Sequence, residues 1–307
     1  MLVSQLERAE LEARLRGPGL TIRTGPFFNR LRSSMPVVAK GVSLLYADFP
    51  VASDDEFVEY TVNVNRLRGP KSWLFPGAYA LKRGDTHSPF YRFRRCLGLS
   101  YLEWGLNYSV YRGCNSYLVL HAAVLERYGR ALIILGNSGD GKSTLCSGLA
   151  LSGWRLLSDE LGLVRLSDGF ISPLARPISL KNESIAVIRE FAPHAVISAP
   201  QWTKRKGMLA HLKPPTESVR RMDELAEPAW LVLVKHVADA PLAVQNVPQS
   251  RAFTELLHSA FNYANLGETG FRQACQLIDR CTCRSVQYSR LSDALEHFDS
   301  SLYRVTE

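Results

Sequence analysis

Residues 131–153, ALIILGNSGDGKSTLCSGLALSG, limit what this chain can fold into more than any other stretch. Residues 131–135 are a short apolar run of the kind that makes a buried strand. They lead directly into Gly136-Asn-Ser-Gly-Asp-Gly-Lys-Ser143, which fits the pattern G-x-x-x-x-G-K-[ST]. Leu145, Leu149 and Leu151 follow at helical spacing, and Gly153 stops the run. Strand, glycine-rich loop and helix in that order predict an α/β core with an anion site, because the backbone N–H groups of the loop turn inward and the helix dipole adds to them. The residues that would contact a nucleotide are Gly136, Asn137, Ser138, Gly139, Asp140, Gly141, Lys142, Ser143 and Thr144. Lys142 would reach the β- and γ-phosphates, and the Ser143 hydroxyl would ligate Mg2+. Such a loop fixes phosphate binding but not the reaction, since ATPases, GTPases and kinases all use it.

A second feature lies just downstream, where residues 154–158 form another apolar run ending at Asp159-Glu160. Two adjacent acids are ordinarily exposed in a turn. At the end of a strand that follows the loop's helix, they sit where α/β nucleotide enzymes hold a metal or orient the attacking group. His121 lies in the apolar run 117–125, one hairpin away from the loop; a histidine there is either a satisfied core residue or a neighbour of the phosphates. Arg176 and Lys181, in a segment that reads as irregular, are either solvated cations or clamps on phosphate or acceptor.

The 307 residues suit one large domain or two ordinary ones, and a hydrophobic content of 46% is enough for a real core. We expect an N-terminal region at 1–95, mostly β, and a nucleotide-binding domain at 96–307 that ends in helices. The six cysteines are scattered, with no second pair at zinc-ligand spacing beside Cys281-Thr-Cys283, so reduced thiols in a cytoplasmic protein are the expectation. Residues 1–17 are charged where a signal peptide would be apolar, and no run reaches the roughly 18 apolar residues of a membrane span. The net charge of +8 has one compact cluster, Lys204-Arg-Lys206, and no nucleic-acid motif accompanies it, so neither nucleic acid nor membrane is expected as a partner.

Locally, residues 1–17 read as a short amphipathic helix, and residues 20–23, 42–49 and 57–64 as strands, from their β-branched and aromatic content. Residues 73–78 and 85–90 read as loops over the sheet. Residues 97–111 read as a helix turning into a strand near Asn107. Residues 117–130 read as one strand closed by a tight turn at Tyr128-Gly129. A hairpin is expected around Ser167-Asp-Gly169, an irregular segment at 173–182, a helix at 183–191, a basic loop at 198–213 and a strand at 229–234. From residue 250 the pattern is helical, with Gly267-Glu-Thr-Gly270 joining two helices, a strand at 283–288 and a last helix at 291–302.

Glu103-Trp-Gly-Leu-Asn107, His121-Ala-Ala-Val124, the glycine-rich loop, Gly153-Trp-Arg-Leu-Leu-Ser-Asp-Glu160, Arg176-Pro-Ile-Ser-Leu-Lys-Asn182 and Phe261-Asn-Tyr263 occur in that order. In them the chain resembles the HPr serine kinase/phosphorylase family, and within it the HPr-related kinase A group, over most of its length past residue 70. The resemblance implies a P-loop kinase core like the nucleotide-binding part of phosphoenolpyruvate carboxykinase, a mixed sheet with flanking helices. It implies ATP and Mg2+, with Asp159 accepting the proton of a substrate serine, Glu160 and Ser143 near the metal and His121 beside the phosphates. It also implies a protein or peptide phospho-acceptor, an HPr-like protein among the candidates, and a homo-oligomer. The chain departs from the family in having Asp159-Glu160 where the kinases have paired aspartates, in lacking an evident glycine-containing signature after them, and in its N-terminal region. A serine kinase, a kinase of small molecules or modified peptides, and a nucleotide-binding regulator without an acceptor all remain open.

Overall fold

A computed structural model of the chain describes residues 1–53, 55–66, 79–83, 93–204 and 206–301. The loops expected at 73–78 and 85–90 lie outside the described residues, as do Arg205 and Leu302. The first part comprises helix α1 (Arg8–Arg16), strands β1 (Leu20–Thr24) and β2 (Phe27–Arg32), helix α2 (Pro36–Leu45), strands β3 (Tyr60–Arg66) and β4 (Tyr79–Arg83), and helix α3 (Gly98–Gly113). The four strands form one sheet in the order β1-β2-β3-β4, with β2 and β3 parallel.

Two sequence expectations fail in this part. Residues 42–45 are helical, not extended: Pro36 stands in the first turn of α2, and Val38, Val42 and Leu45 recur on one buried face. Their β-branched content hid a helical period, and the region is mixed α and β instead of mostly β. Helix α3 also continues unbroken through Asn107, because Leu99, Leu102, Leu106 and Val110 place one apolar stripe against the sheet. The hydrophobic cluster around that sheet crosses residue 95, joining Leu20, Ile22 and Leu31 to Leu99, Leu102 and Leu106, and it takes in Val219 and Met222 from far along the chain.

The second part begins with β5 (Tyr117–Leu120), β6 (Ala123–Arg127), β7 (Arg130–Leu135), helix α4 (Lys142–Leu151), β8 (Arg155–Ser158), β9 (Gly162–Arg165), β10 (Ile171–Ser172) and β11 (Ile178–Lys181). Helix α5 (Glu183–Phe191), strands β12 (Gln201–Thr203) and β13 (Gly207–Leu212), and helix α6 (Thr216–Arg220) come next. The chain then runs through β14 (Glu227–His236), β15 (Ala243–Asn246), α7 (Gln249–Ser259), α8 (Tyr263–Arg280), β16 (Thr282–Tyr288) and α9 (Leu291–Ser301). The main sheet has six strands in the order β15-β16-β14-β7-β6-β8 and is mixed, with β14 parallel to both β7 and β16. Its apolar runs are continuous because both faces are covered. Leu132 and Ile134 pack into the cluster containing α4, α5 and α9, whereas Ile133 and Leu135 pack into the one containing α7 and α8.

Residues 117–130 are two strands, not one. The chain leaves β5 at Leu120 and enters β6 at Ala123; β5 pairs with β9 in a separate three-stranded sheet. Leu118 to Leu120 and Ala122 to Leu125 are all buried, so no alternation marks the break at His121. The basic stretch at 198–213 is likewise no loop: β12 and β13 form a hairpin that adds β11 as its third strand, so residues 178–181 of the segment expected to be irregular are extended. Thr203 closes the turn of that hairpin with its hydroxyl, which donates to Gly207 O at 3.0 Å and accepts from the Lys206 N–H. The turn at Tyr128-Gly129 has positive φ at both residues, 54° and 80°, as a two-residue hairpin turn needs. Gly267, at φ 54° and ψ −129°, breaks α8 where the sequence places a junction.

The motif Phe261-Asn-Tyr263 has a structural task. Its Asn262 is buried, accepts from the Val119 N–H at 2.9 Å and donates to the carbonyls of Cys114 and Tyr117 at 3.1 and 2.8 Å. Beside it the Phe261 N–H donates to Val119 O and the His121 N–H to Ser259 O, so this segment lies along β5 as an extra edge and fixes the backbone of His121. Asn262→Ala strands buried backbone groups and is expected to cost about 2–3 kcal/mol, measured as the shift in urea midpoint at unchanged m-value. A loss under about 0.5 kcal/mol, the range of an ordinary surface change, would remove this role.

Candidate functional site

A cleft of about 680 Å³ opens at the carboxyl end of β7, where the glycine-rich loop turns into α4. Gly139 (φ 102°) and Gly141 (φ 85°) take backbone conformations that other residues rarely adopt, and a Cβ on Gly141 would stand 2.3 Å from the Tyr288 hydroxyl. The loop is locked from several sides. Asp140 accepts from the Asn137 N–H at 2.5 Å, the Asp140 carbonyl accepts from the His236 N–H at 3.0 Å, and the Gly141 carbonyl accepts from the Tyr288 hydroxyl at 2.9 Å. His236 and Tyr288 end β14 and β16, the parallel neighbours of β7 on one side, so the sheet itself carries these supports to the loop. Lys142 is buried and donates to Gly136 O at 2.5 Å and Asn137 O at 3.1 Å, which keeps its ammonium on the loop's inner side.

Strand β8 delivers the two acids. Asp159 is 6% exposed. Its Oδ2 accepts from the Ser143 hydroxyl at 3.3 Å and from the Ser179 N–H at 3.1 Å, while its Oδ1 has no partner. Burial, with the charge of Glu160 beside it, raises the Asp159 carboxyl to about 6. At Glu160 burial acts in the same upward direction but is outweighed by the His121 ring and the Lys181 charge, which hold the carboxyl down near 2. The Nε2 of His121 stands 3.6 Å from Glu160 Oε2, and its ring rests against Phe261. Two neighbouring carboxyls thus differ in proton affinity: one stays ionised, and the other takes up a proton near neutrality.

His121, Lys142, Ser143, Asp159, Glu160 and Lys181 all line this cleft, together with Asn137, Ser138, Gly139, Gly141 and Thr144 of the loop. Arg176 is not among them. It is buried behind the acids, where its guanidinium meets Asn107 Oδ1 and lies 3.8 Å from Glu103 Oε2. The sequence marked Lys206 only as part of the basic cluster Lys204-Arg-Lys206, a candidate to stabilise transition-state charge, and left Ser179, His236 and Tyr288 unmarked, although all four line the cleft. The two strands ending in His236 and Tyr288 were visible; that they flank β7 in parallel, and so end beside the loop, was the missing link. Ser143, Asp159 and Glu160 offer a few hard oxygen ligands to the cleft, and no group of three His, Cys, Asp or Glu residues suited to a metal occurs among the described residues. That donor set fits Mg2+, which fills its shell with ligand oxygens and water instead of a protein cage.

No family model matches the sequence. No curated protein shows a significant match to it either. Among solved structures, the HPr(Ser) kinase/phosphatase from Coxiella burnetii is 12% identical, with the match covering 61% of this chain and 93% of that one at a TM-score of 0.27. A likeness of that size adds nothing to what the cleft itself shows. Among the described residues no helix is long and apolar enough to cross a membrane.

Proposed function

We propose that the chain is an ATP-dependent phosphotransferase with a P-loop kinase-like core, moving the γ-phosphoryl of ATP to a hydroxyl, with a serine of a protein or peptide as acceptor. One observation carries the reading: Asp159 is buried at the cleft floor beside the glycine-rich loop, held through one oxygen by Ser143 and Ser179, with its other oxygen unpartnered. A carboxylate so held can take a proton from an incoming hydroxyl.

The loop N–H groups and Lys142 bind the phosphates and oppose the charge that develops on them. Ser143 and Glu160 would hold Mg2+, which would supply positive charge to neutralise the phosphates. The acceptor oxygen attacks the γ-phosphorus, its proton passes to the Asp159 carboxylate, and the bond to the β-phosphate oxygen breaks to release ADP. Lys181, on the cleft wall, adds positive charge opposite the loop, and His121 keeps Glu160 ionised.

Incubating the protein with γ-labelled ATP, Mg2+ and lysate fractions of its host is expected to label a discrete acceptor. The Lys142→Ala variant should lower that labelling about 10²–10³-fold, as removal of one preorganised charge donor does elsewhere. Label released only as inorganic phosphate, with no acceptor in any fraction, would overturn the reading.

A further inference from the structure

Behind Asp159 and Glu160 lies a second space, about 70 Å³ in volume. A water needs about 10–15 Å³ of such volume, so this one has room for several waters or for one carboxylate or phosphate group. Asp159, Glu160, Ser179 and Lys206 border both this pocket and the cleft, so the two adjoin at the reacting end. On its far side stand Glu103, Trp104 and Asn107 of α3, and from the core side come Arg176 and His211.

Arg176 is 7% exposed. Its Nη2 donates to Asn107 Oδ1, but Nε and Nη1 make no hydrogen bond, and neither does Asp159 Oδ1; all three atoms are buried. Glu103 is engaged elsewhere: it accepts from the Tyr46 hydroxyl at 2.6 Å and leaves Oε2 3.8 Å from the guanidinium. Burial also pushes the Glu103 carboxyl up, with the Arg176 charge opposing, which weakens its hold on that guanidinium. Burial likewise keeps the His211 imidazole neutral, at about 4, so it adds no competing charge. A buried guanidinium with idle donors is costly to maintain unless something with acceptor oxygens completes it. Glu103, Tyr46 and Asn107 thus form a frame that presents Arg176 to the pocket.

We propose that this pocket binds an oxyanion, a carboxylate or phosphate, that the phosphoryl acceptor carries within a few bonds of its reacting hydroxyl, as a C-terminal serine of a peptide or a free hydroxy acid does and a serine inside a chain does not. The guanidinium of Arg176 takes the oxyanion and Lys206, on the β12–β13 hairpin, closes over it, which leaves the hydroxyl beside the Asp159 carboxylate. The identification of the ligand as the acceptor rests on the phosphotransferase reading; the existence of the oxyanion site does not.

The test uses the full chain saturated with Mg2+ and a non-hydrolysable ATP analogue, so that the glycine-rich loop is already filled. Inorganic phosphate and D-glycerate are the probes, with glycerol as the uncharged control. Trp104 lines the pocket, so its emission reports filling, and calorimetry gives the affinity independently. Saturable binding of either probe, absent for glycerol, is expected; which probe binds more tightly tells phosphate from carboxylate. Arg176→Gln should weaken it about tenfold or more. Lys206→Ala, an exposed hairpin position that folding tolerates, should weaken it several-fold. Binding that is unchanged in both variants, equal binding of glycerol, or no saturable binding of either probe would overturn the proposal. If the analogue does not bind, the phosphotransferase reading has failed on its own, and the same titrations on Lys142→Ala without nucleotide still decide the oxyanion site.

Discussion

Replacing Asp159 by Asn is expected to lower phosphoryl transfer about 10²–10⁴-fold, the range set by losing a positioned proton acceptor, while nucleotide affinity stays close to that of the parent. The substitution changes little else. An amide oxygen still accepts from the Ser143 hydroxyl and the Ser179 N–H, so the floor of the cleft keeps its shape. What disappears is an oxygen able to hold a proton. The parent carries a second signature, since burial and the Glu160 charge raise Asp159 to about 6. A proton acceptor works only when ionised, so transfer should fall as the pH drops through that value and level off above it. Asp159→Asn should lose this limb of the profile, which a merely structural carboxylate would not control. Single-turnover rates across pH 5 to 8, beside nucleotide titrations of both proteins, measure it. Equal loss of nucleotide binding and transfer would remove Asp159 from the role of proton acceptor.

The parts of the site that were legible in the sequence are those written in consecutive residues. The loop from Gly136 to Ser143, the acids at the end of β8 and the turn at Tyr128-Gly129 each have a local cause, glycine conformations in one case and strand endings in the others. The parts that were not legible depend on chain segments meeting in space. Asn262 holds β5 from nearly 150 residues away, and nothing in Phe261-Asn-Tyr263 announces a sheet edge. Arg176 reads equally as a solvated cation or a phosphate clamp, because its burial is decided by Glu103 and Asn107 on a helix of the other half of the molecule. The failed assignments have other causes. In 117–125 almost every residue is apolar and buried, which hides where one strand ends, whereas in 42–45 the exposed Ser43 and Leu44 between buried Val42 and Leu45 carry a helical period that the β-branched content of the run masks.

Glu126→Ala should destabilise the fold by about 3–5 kcal/mol, because it leaves a buried arginine without its counter-charge. Glu126 on β6 and Arg155 on β8 face each other across the sheet, with side chains 2% and 4% exposed. The pair is framed on both sides: Glu126 also accepts from the Gly129 N–H at 2.6 Å, and Arg155 Nη1 donates to the carbonyls of Arg221 and Glu224 at 2.8 and 2.9 Å, while its Nη2 is buried without a partner. The frame therefore ties the hairpin that leads into the glycine-rich loop to the strand that delivers Asp159. Removing the acid strands a desolvated guanidinium, whereas Glu126→Ala combined with Arg155→Met removes both charges and should regain much of the loss. Urea unfolding of the two single variants and the double variant closes the cycle. If each single variant costs as much as the double, the two groups act only as a pair and the ion pair is the unit that matters. If the double costs the sum of the singles, no coupling exists between them, and the link from the loop's hairpin to Asp159 must be carried by β6–β8 backbone pairing alone.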